Sequence, residues 1–377
     1  MHCVTRHLQR LVRIAGLAGI CGTVLAAGPA PLDRIVVSPD REHFTRAHSG
    51  SLFRLWGFNY DRDSSGRLLE DYWQTEWPAV EKDFGAMKAL GANVVRIHLQ
   101  LGRFMKSASQ TNDSSIMQLT RLVQLAERTG LYLDITGLGC YHRADVPLWY
   151  NKMGESERWD TQARFWEAVA SACAESPAVF CYDLMNEPIV GGDVKDRDWT
   201  PDEFGGSCFV QRLTLDPAGR TDKEIAKAWV DKLSDAIRKH DKTRLVTVGA
   251  IPWAMVWPAA KPLFYSPEVG RNLDFVSVHF YPEEGHVDKA LTALAVYKIG
   301  KPLVIEEMFP LKCSMAELGQ FVDGSRAIAA GWIGFYWGKG IEQYQQEPND
   351  TNSVRTMEWL KYFTGKAPEM SGGKNSP

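Results

Sequence analysis

The amino-acid sequence predicts an α/β chain folded as one closed (β/α)8, or TIM, barrel. Three observations carry the prediction. Eight short runs rich in β-branched residues recur along the chain, stretches with helical spacing fall between them, and no glycine-rich nucleotide loop of the GxGxxG or P-loop kind is present. A doubly wound sheet of this length would more often have fewer strands and a glycine-rich first turn. Barrels of this kind use roughly 250 residues or more as a single domain, so the 377 residues require no second one.

The elements follow in order. The chain opens with Arg6, Arg10 and Arg13, continues with an uncharged stretch from Ile14 to Leu25, and reaches the small residues Ala26, Ala27 and Gly28. This pattern predicts a secretory signal peptide over 1–27 and a secreted or periplasmic protein. The apolar part is shorter than the roughly 20 residues that span a bilayer, and no later stretch reaches that length, so no retained membrane helix is expected. Residues 28–50 read as a lead-in to the barrel domain, which is taken as 28–366. The strand runs are 52–57, 93–98, 131–136, 179–184, 244–249, 274–279, 302–306 and 332–336. Helices are predicted at 78–90 from the spacing of Phe84, Met87 and Leu90, at 115–129 from Leu119, Leu122 and Val123, and at 159–175 from Phe165, Trp166 and Val169. Thr221 with Glu224, and Ser314 with Glu317, are capping boxes that open two more. Gly91, Gly130 and Gly331 stand where a left-handed residue would end a helix. From 367 the chain reads as a disordered tail rich in Gly, Ser and Lys.

Composition narrows the function classes. With 45% hydrophobic and 24% charged residues the chain can bury a large core. A net charge of -3 supplies no field that would favour nucleic acid or an anionic membrane, so neutral partners are expected. A monomer is expected too. Removing Cys3 and Cys21 with the signal leaves Cys140, Cys173, Cys181, Cys208 and Cys313, an odd number without metal-type spacing or a disulfide framework. Among the 13 tryptophans, Trp73, Trp77, Trp149, Trp159, Trp199, Trp253 and Trp257 lie outside obvious core stripes. Such indoles suit stacking on sugar rings as well as ordinary packing.

In such a barrel the C-terminal ends of the strands build the active site. Here those ends carry Arg96 and His98 on the second run, Asn186-Glu187-Pro188 after the fourth, His279 and Tyr281 on the sixth, Glu306 and Glu307 on the seventh and Trp337 after the eighth. Cleaving a glycosidic bond takes one protonated and one ionised carboxyl. Glu187 and Glu307, from opposite sides of the barrel mouth, are the pair in place. A separation near ~5 Å would allow the covalent, retaining route, with Arg96 keeping the attacking carboxylate ionised.

At these positions the sequence resembles the clan A glycoside hydrolases, and within them family five, the cellulase and mannanase family, over roughly 50–365. LMNEP is similar to the clan's acid/base motif, which implies that role for Glu187 and a contact with the sugar 2-hydroxyl for Asn186. KPLVIEEMF is similar to its nucleophile strand, where the second of two adjacent acidic residues aligns, hence Glu307; Glu306 is then an inward or supporting residue. DFVSVHFYP implies that His279 belongs to the acid/base network and that Tyr281 bonds the nucleophile. VVRIH supplies Arg96, and FYWGKG supplies Trp337 as the floor of the cleaved-sugar subsite. One feature departs from the family pattern. Many members place a His after the third strand, two residues beyond an Asp, whereas Asp134 here is followed by Ile135 and Thr136; His142 is the candidate substitute.

The expected function is therefore hydrolysis of a β-linked glucan or mannan, or its oligosaccharides, without cofactor or metal. The alternatives are action on another β-glycoside such as a β-1,3-glucan or a glycoconjugate, transfer to an acceptor other than water, and a non-catalytic carbohydrate-binding barrel.

Overall fold

The computed structural model describes residues 31–191, 198–201, 203–335, 337–346 and 350–371. The predicted signal segment and residues 372–377 lie outside this set. Eight parallel strands close into a barrel: β1 (Leu55–Tyr60), β2 (Val94–Gln100), β3 (Tyr132–Gly139), β4 (Val179–Asn186), β5 (Leu245–Ala250), β6 (Val276–His279), β7 (Leu303–Met308) and β8 (Gly331–Gly334), with β8 pairing back to β1. Every residue of the eight is buried, because side chains from one face fill the barrel and those from the other pack under helices.

The lead-in segment folds as a small antiparallel sheet of 35–37, 44–46 and 52–53. It plugs the end of the barrel where the strands begin. Phe44 is fully buried there, its ring edge-on to Phe180 at 5.2 Å and Phe275 at 5.3 Å. The first predicted strand run, 52–57, thus merges two elements. Leu52–Phe53 belongs to the plug and the barrel strand continues to Tyr60, which carries Asn59 to the catalytic end.

The outer helices are α1 (Trp77–Ala89), α2 (Asp113–Thr129), α3 (Glu155–Cys173), α4 (Asp222–His240), α5 (Val287–Ala295), α6 (Met315–Ser325) and α7 (Thr351–Met370). Both capping boxes form as expected: the Thr221 and Ser314 hydroxyls accept from the Glu224 and Glu317 amides, while the glutamates accept from the cap amides. Gly91 and Gly130 adopt φ of +95° and +68° at helix ends. Gly331 does not act as a cap; it starts β8, where an added Cβ would meet Leu55 at 2.6 Å. Between β5 and β6 there is no full helix, only the short turns Trp253–Val256 and Gly270–Asn272, since Pro252, Pro258, Pro262 and Pro267 interrupt this stretch.

The predicted tail from 367 begins inside α7. Ala367 and Met370 continue the buried stripe of Trp359, Leu360 and Phe363 at helical spacing, so the helix outlasts the polar composition that suggested fraying. Trp73, Trp77, Trp159 and Trp199 are buried, leaving Trp253 and Trp257 as the exposed indoles of the set named above. Among the described residues no helix is long and apolar enough to cross a membrane.

Candidate active site

Alternate strand residues point into a parallel barrel, and in most barrels these are branched hydrophobes. Near the C-terminal mouth of this one the interior is polar instead, and it is organised around one guanidinium. Arg96, on β2, is completely buried. Its Nε donates to Thr136 Oγ1 at 2.8 Å. One terminal nitrogen donates to Asn59 Oδ1 at 3.0 Å and Glu307 Oε1 at 2.7 Å, and the other to Asp183 Oδ2 at 2.8 Å and Asn186 Oδ1 at 2.9 Å. Glu306 Oε2 lies 3.5 Å away. A rigid planar guanidinium can fix groups from four other strands in this way because all its N–H vectors are coplanar.

Strand irregularities explain how consecutive acids share one interior. On β7, Val278 pairs with Ile305 but His279 pairs with Glu307, so Glu306 is an extra residue in the ladder. A bulge of this kind suspends the in/out alternation, letting both Glu306 and Glu307 reach Arg96. On β4, Asp183 pairs with Thr247 while Asn186 pairs with Gly249, and the same device brings Asp183 and Asn186 to one nitrogen. The next residue, Glu187, sits at φ +48° with its amide donating to Gly249 O at 2.8 Å. For a non-glycine residue this conformation costs about 1–2 kcal/mol, and such strain concentrates at functional positions. Gly249 is obligatory for space: an added Cβ would lie 2.7 Å from Glu306, 2.9 Å from His279 and 3.0 Å from Arg96.

Glu307 accepts a second hydrogen bond, from Tyr281 at 2.6 Å. His279 links the acids. Its Nδ1 lies 2.9 Å from Glu187 Oε1 and 3.6 Å from Glu307 Oε2, and its Nε2 lies 3.4 Å from Glu306 Oε2. Burial disfavours a charge on this ring, but Glu307, Glu187 and Glu306 outweigh it and raise its pKa to about 10. His279 is therefore a cation donating from both nitrogens. Burial likewise opposes charge on Glu306, but Arg96 and His279 hold its pKa below the ordinary range, whereas burial and the neighbouring Glu306 push the pKa of Asp134 well up.

The His279 shift has a measurable consequence. Its folded pKa, about 10, exceeds the ordinary 6.5, so the stability it contributes is complete below about pH 6.5 and is lost as pH rises through about 10. The urea midpoint is expected to fall over that window, and His279→Asn to flatten the fall. An unchanged pH slope in the variant would contradict a cationic His279.

Eight of the residues singled out in the sequence converge here: Arg96, His98, Asn186, Glu187, His279, Tyr281, Glu306 and Glu307. Two do not. Trp337 is 1% exposed and packs edge-on to Phe58 at 5.6 Å, so it forms no wall of the cleft; Phe335, two residues earlier, borders it instead. The half-exposed His142 turns away towards Asp145, 3.5 Å from its Nδ1. Its neighbour Tyr141 turns inward, the hydroxyl 2.5 Å from His98 Nδ1. His98 Nε2 lies 3.0 Å from Asn59 Oδ1, an acceptor, which fixes this nitrogen as the donor and Nδ1 as the acceptor from Tyr141. Burial and the nearby Arg96 hold the His98 pKa well below its ordinary value, so the ring is neutral. Sequence reasoning missed Asn59, Thr136, Tyr141 and Asp183. The available signal was polar residues at inward positions of otherwise apolar runs.

Above these groups lies a cleft of about 460 Å³ bordered by Glu187, Glu307, Tyr281, His98, Phe204, Phe209, Phe309 and Phe335. Ligand atoms of Glu187, His279 and Glu307 all lie within 4.8 Å of one another, the one such cluster among the described residues that could hold a metal. Each ring nitrogen of His279 already faces a carboxylate, Nδ1 that of Glu187 and Nε2 that of Glu306, so a metal bound to this ring would have to displace one of these contacts. The set is instead suited to sharing protons: one carboxylate held by two donors, and a second carboxyl within a few ångströms beside a cationic imidazole.

A closed barrel with paired carboxylates after β4 and on β7 defines the class of molecule. The chain belongs to the cellulase family, glycosyl hydrolase family 5, whose family model matches residues 53–308. It is 26% identical over 233 residues to mannan endo-1,4-β-mannosidase A of Podospora anserina, covering 54% of each chain. It is 24% identical over 254 residues to a probable mannan endo-1,4-β-mannosidase C of Aspergillus terreus, covering 62% of this chain and 53% of that one. The chain thus spans about half the length of the curated relatives it matches. The fold is shared with an exo-β-1,4-mannosidase from an Opitutaceae bacterium, at a TM-score of 0.66 and 15% identity over 89% of this chain and 62% of the other. It is shared also with an endo-1,4-β-mannanase from Rhizomucor miehei, at 0.58 and 17% over 88% and 99%.

Proposed function

We propose that the protein is a retaining β-glycosidase that hydrolyses a β-linked mannan or glucan, or its oligosaccharides, through a glycosyl ester on Glu307. The observation that carries this reading is the closeness of the two carboxyls: their oxygens lie within 4.8 Å, which suits direct attack and leaves too little room for the intervening water of an inverting enzyme. The names of the curated relatives favour mannan. Export, to the periplasm or the medium, is part of the same proposal and rests on the basic and then apolar start of the sequence.

In the first step Glu307 attacks the anomeric carbon while Glu187 gives its proton to the departing oxygen. Arg96 and Tyr281 keep Glu307 ionised and aimed. The His279 cation, 2.9 Å from Glu187, stabilises the negative charge that appears on Glu187 as its proton leaves. In the second step Glu187 takes a proton from water, hydroxide adds to the anomeric carbon, and Glu307 departs. Asn186, held by Arg96, stands next to Glu187 and faces the cleft. It is the candidate contact for the 2-hydroxyl.

Glu187→Ala tests this division of labour. Substrates with poor leaving groups are expected to lose about 10²–10⁴-fold in kcat/KM, whereas an aryl glycoside whose phenolate leaves unaided loses far less. Azide is expected to restore turnover and to yield a β-glycosyl azide, because a small anion attacks the ester without a base. Equal losses for both leaving groups, with no azide product, would overturn the assignment.

A further inference from the structure

The charges lining the cleft do not balance, and the imbalance lies on one wall. Glu307 is answered by Arg96, Glu187 by His279, and Asp61 by Arg62 at 3.5 Å. Arg62 is held over the rings of Phe209 and Phe335 at 5.4 and 5.3 Å, so its charge is fixed at the cleft. Two further cations border the same space, Lys312 after β7 and Arg355 in the second turn of α7. Arg355 acts electrostatically on Cys313, the residue next to Lys312. Among the described residues Lys312 pairs only with Glu283, at 3.4 Å in an exposed pair. Arg355 is half-buried and makes no hydrogen bond or ion pair among the described residues.

A neutral sugar chain needs hydrogen bonds but no counter-charge. Arg355 shares the cleft with Phe309 and Leu311 and has no charged partner among the described residues, so a ligand that brings a negative charge would meet an unanswered cation there. The planar fork of Arg355 matches a carboxylate in a way that isolated hydroxyls do not. Asn352, one turn earlier on α7, borders the same wall and can donate to the ring oxygens of the same sugar.

We propose that the cleft accepts an acidic β-glycan, with the carboxylate of a hexuronic acid near the cleaved bond seated against Arg355 and Lys312. The inference rests on the glycosidase reading but concerns the selectivity of the cleft, not the chemical step. Nothing in the motif residues around Glu187 or Glu307 points to it.

The test compares one β-mannooligosaccharide bearing glucuronic acid with the same compound after carboxyl reduction, a pair that differs only in charge at one carbon. Wild-type protein is expected to prefer the acidic member by about tenfold or more in kcat/KM, the scale of a charge-assisted hydrogen bond. The preference should shrink as salt is raised. Arg355→Lys should retain part of it, and Arg355→Glu and Lys312→Glu should abolish or reverse the ratio, with folding checked by circular dichroism. Equal use of both members by the wild type, or a ratio indifferent to Arg355→Glu, would overturn the inference. If neither compound were hydrolysed, the glycosidase reading would fail, and calorimetric binding of the same pair would decide the cleft's charge preference alone: selective binding of the acidic member supports the inference, and equal or absent binding ends it.

Discussion

Glu307→Gln is expected to lower turnover of β-mannosides and β-glucosides by on the order of 10⁴-fold, with the fold unchanged. The amide keeps the shape of the side chain and its carbonyl still accepts from Arg96 at the position of Glu307 Oε1. Its nitrogen replaces the oxygen that now accepts from Tyr281, whose hydroxyl rotates to accept instead. Arg96 keeps Asp183 and Glu306 as counter-ions, so stability should change by less than about 1 kcal/mol. What disappears is the anionic oxygen that can form an ester. Kinetics beside a urea titration would separate the two effects. Residual activity within tenfold of wild type would assign the nucleophile elsewhere.

The second large effect is expected from Arg96→Met. Methionine fills similar space without charge, leaving Asp183, Glu306 and Glu307 in the barrel interior without the cation they share. Removing one partner of a buried ion pair costs about 3–5 kcal/mol, because the remaining charge is uncompensated. For a chain of this size the melting temperature should fall by about 5–10 °C. The deficit should narrow on acidification, since protonating the stranded carboxylates removes their burial cost. Activity should vanish as well, Glu307 having lost the donor that keeps it ionised. A variant as stable as wild type at neutral pH would contradict the view of Arg96 as the hub of the interior.

The two predictions concern residues that were readable before any coordinates, and for a definite reason. The runs containing Arg96 and His279, and the run that Glu307 directly follows, are short, β-branched and followed by helical spacing, so their C-terminal ends could be located within a residue or two. Strand periodicity then puts their polar residues inside. The method failed where the ladder is irregular or a boundary is hidden. Asn59 was missed because Leu52–Phe53, equally apolar, belongs to the plug and drew the first strand three residues too early. Asp183 was missed because only a bulge places it on the same side as Asn186, and bulges leave no mark in an alternation pattern. Glu306 was rightly taken as inward, although the sequence alone held no reason why adjacent acids should share a face.

Trp337 and His142 show a different limit. Both are chemically suited to a sugar site and both stand just past a strand end, yet packing decides which way such residues turn. Trp337 fills the space beside Phe58, and the cleft wall falls to Phe335. At the end of β3, Leu138 adopts φ +61°, and a few residues on it is Tyr141, not His142, that points inward to hold His98. Arg355, which has no partner among the described residues, was invisible for a similar reason. Its position in α7 looks like an ordinary solvated helix face until the third dimension sets it at the mouth of the barrel.

The central claim is a covalent bond between sugar and Glu307, and trapping it is the most direct test. The mature protein would be incubated with a 2-deoxy-2-fluoro β-mannosyl or β-glucosyl fluoride, digested, and its peptides weighed by mass spectrometry. The account predicts one fluoroglycosyl group, carried by the peptide containing Glu307, with activity returning as the ester slowly hydrolyses. A label on a different carboxylate, or turnover without any adduct and with inversion of the anomeric centre, would contradict it.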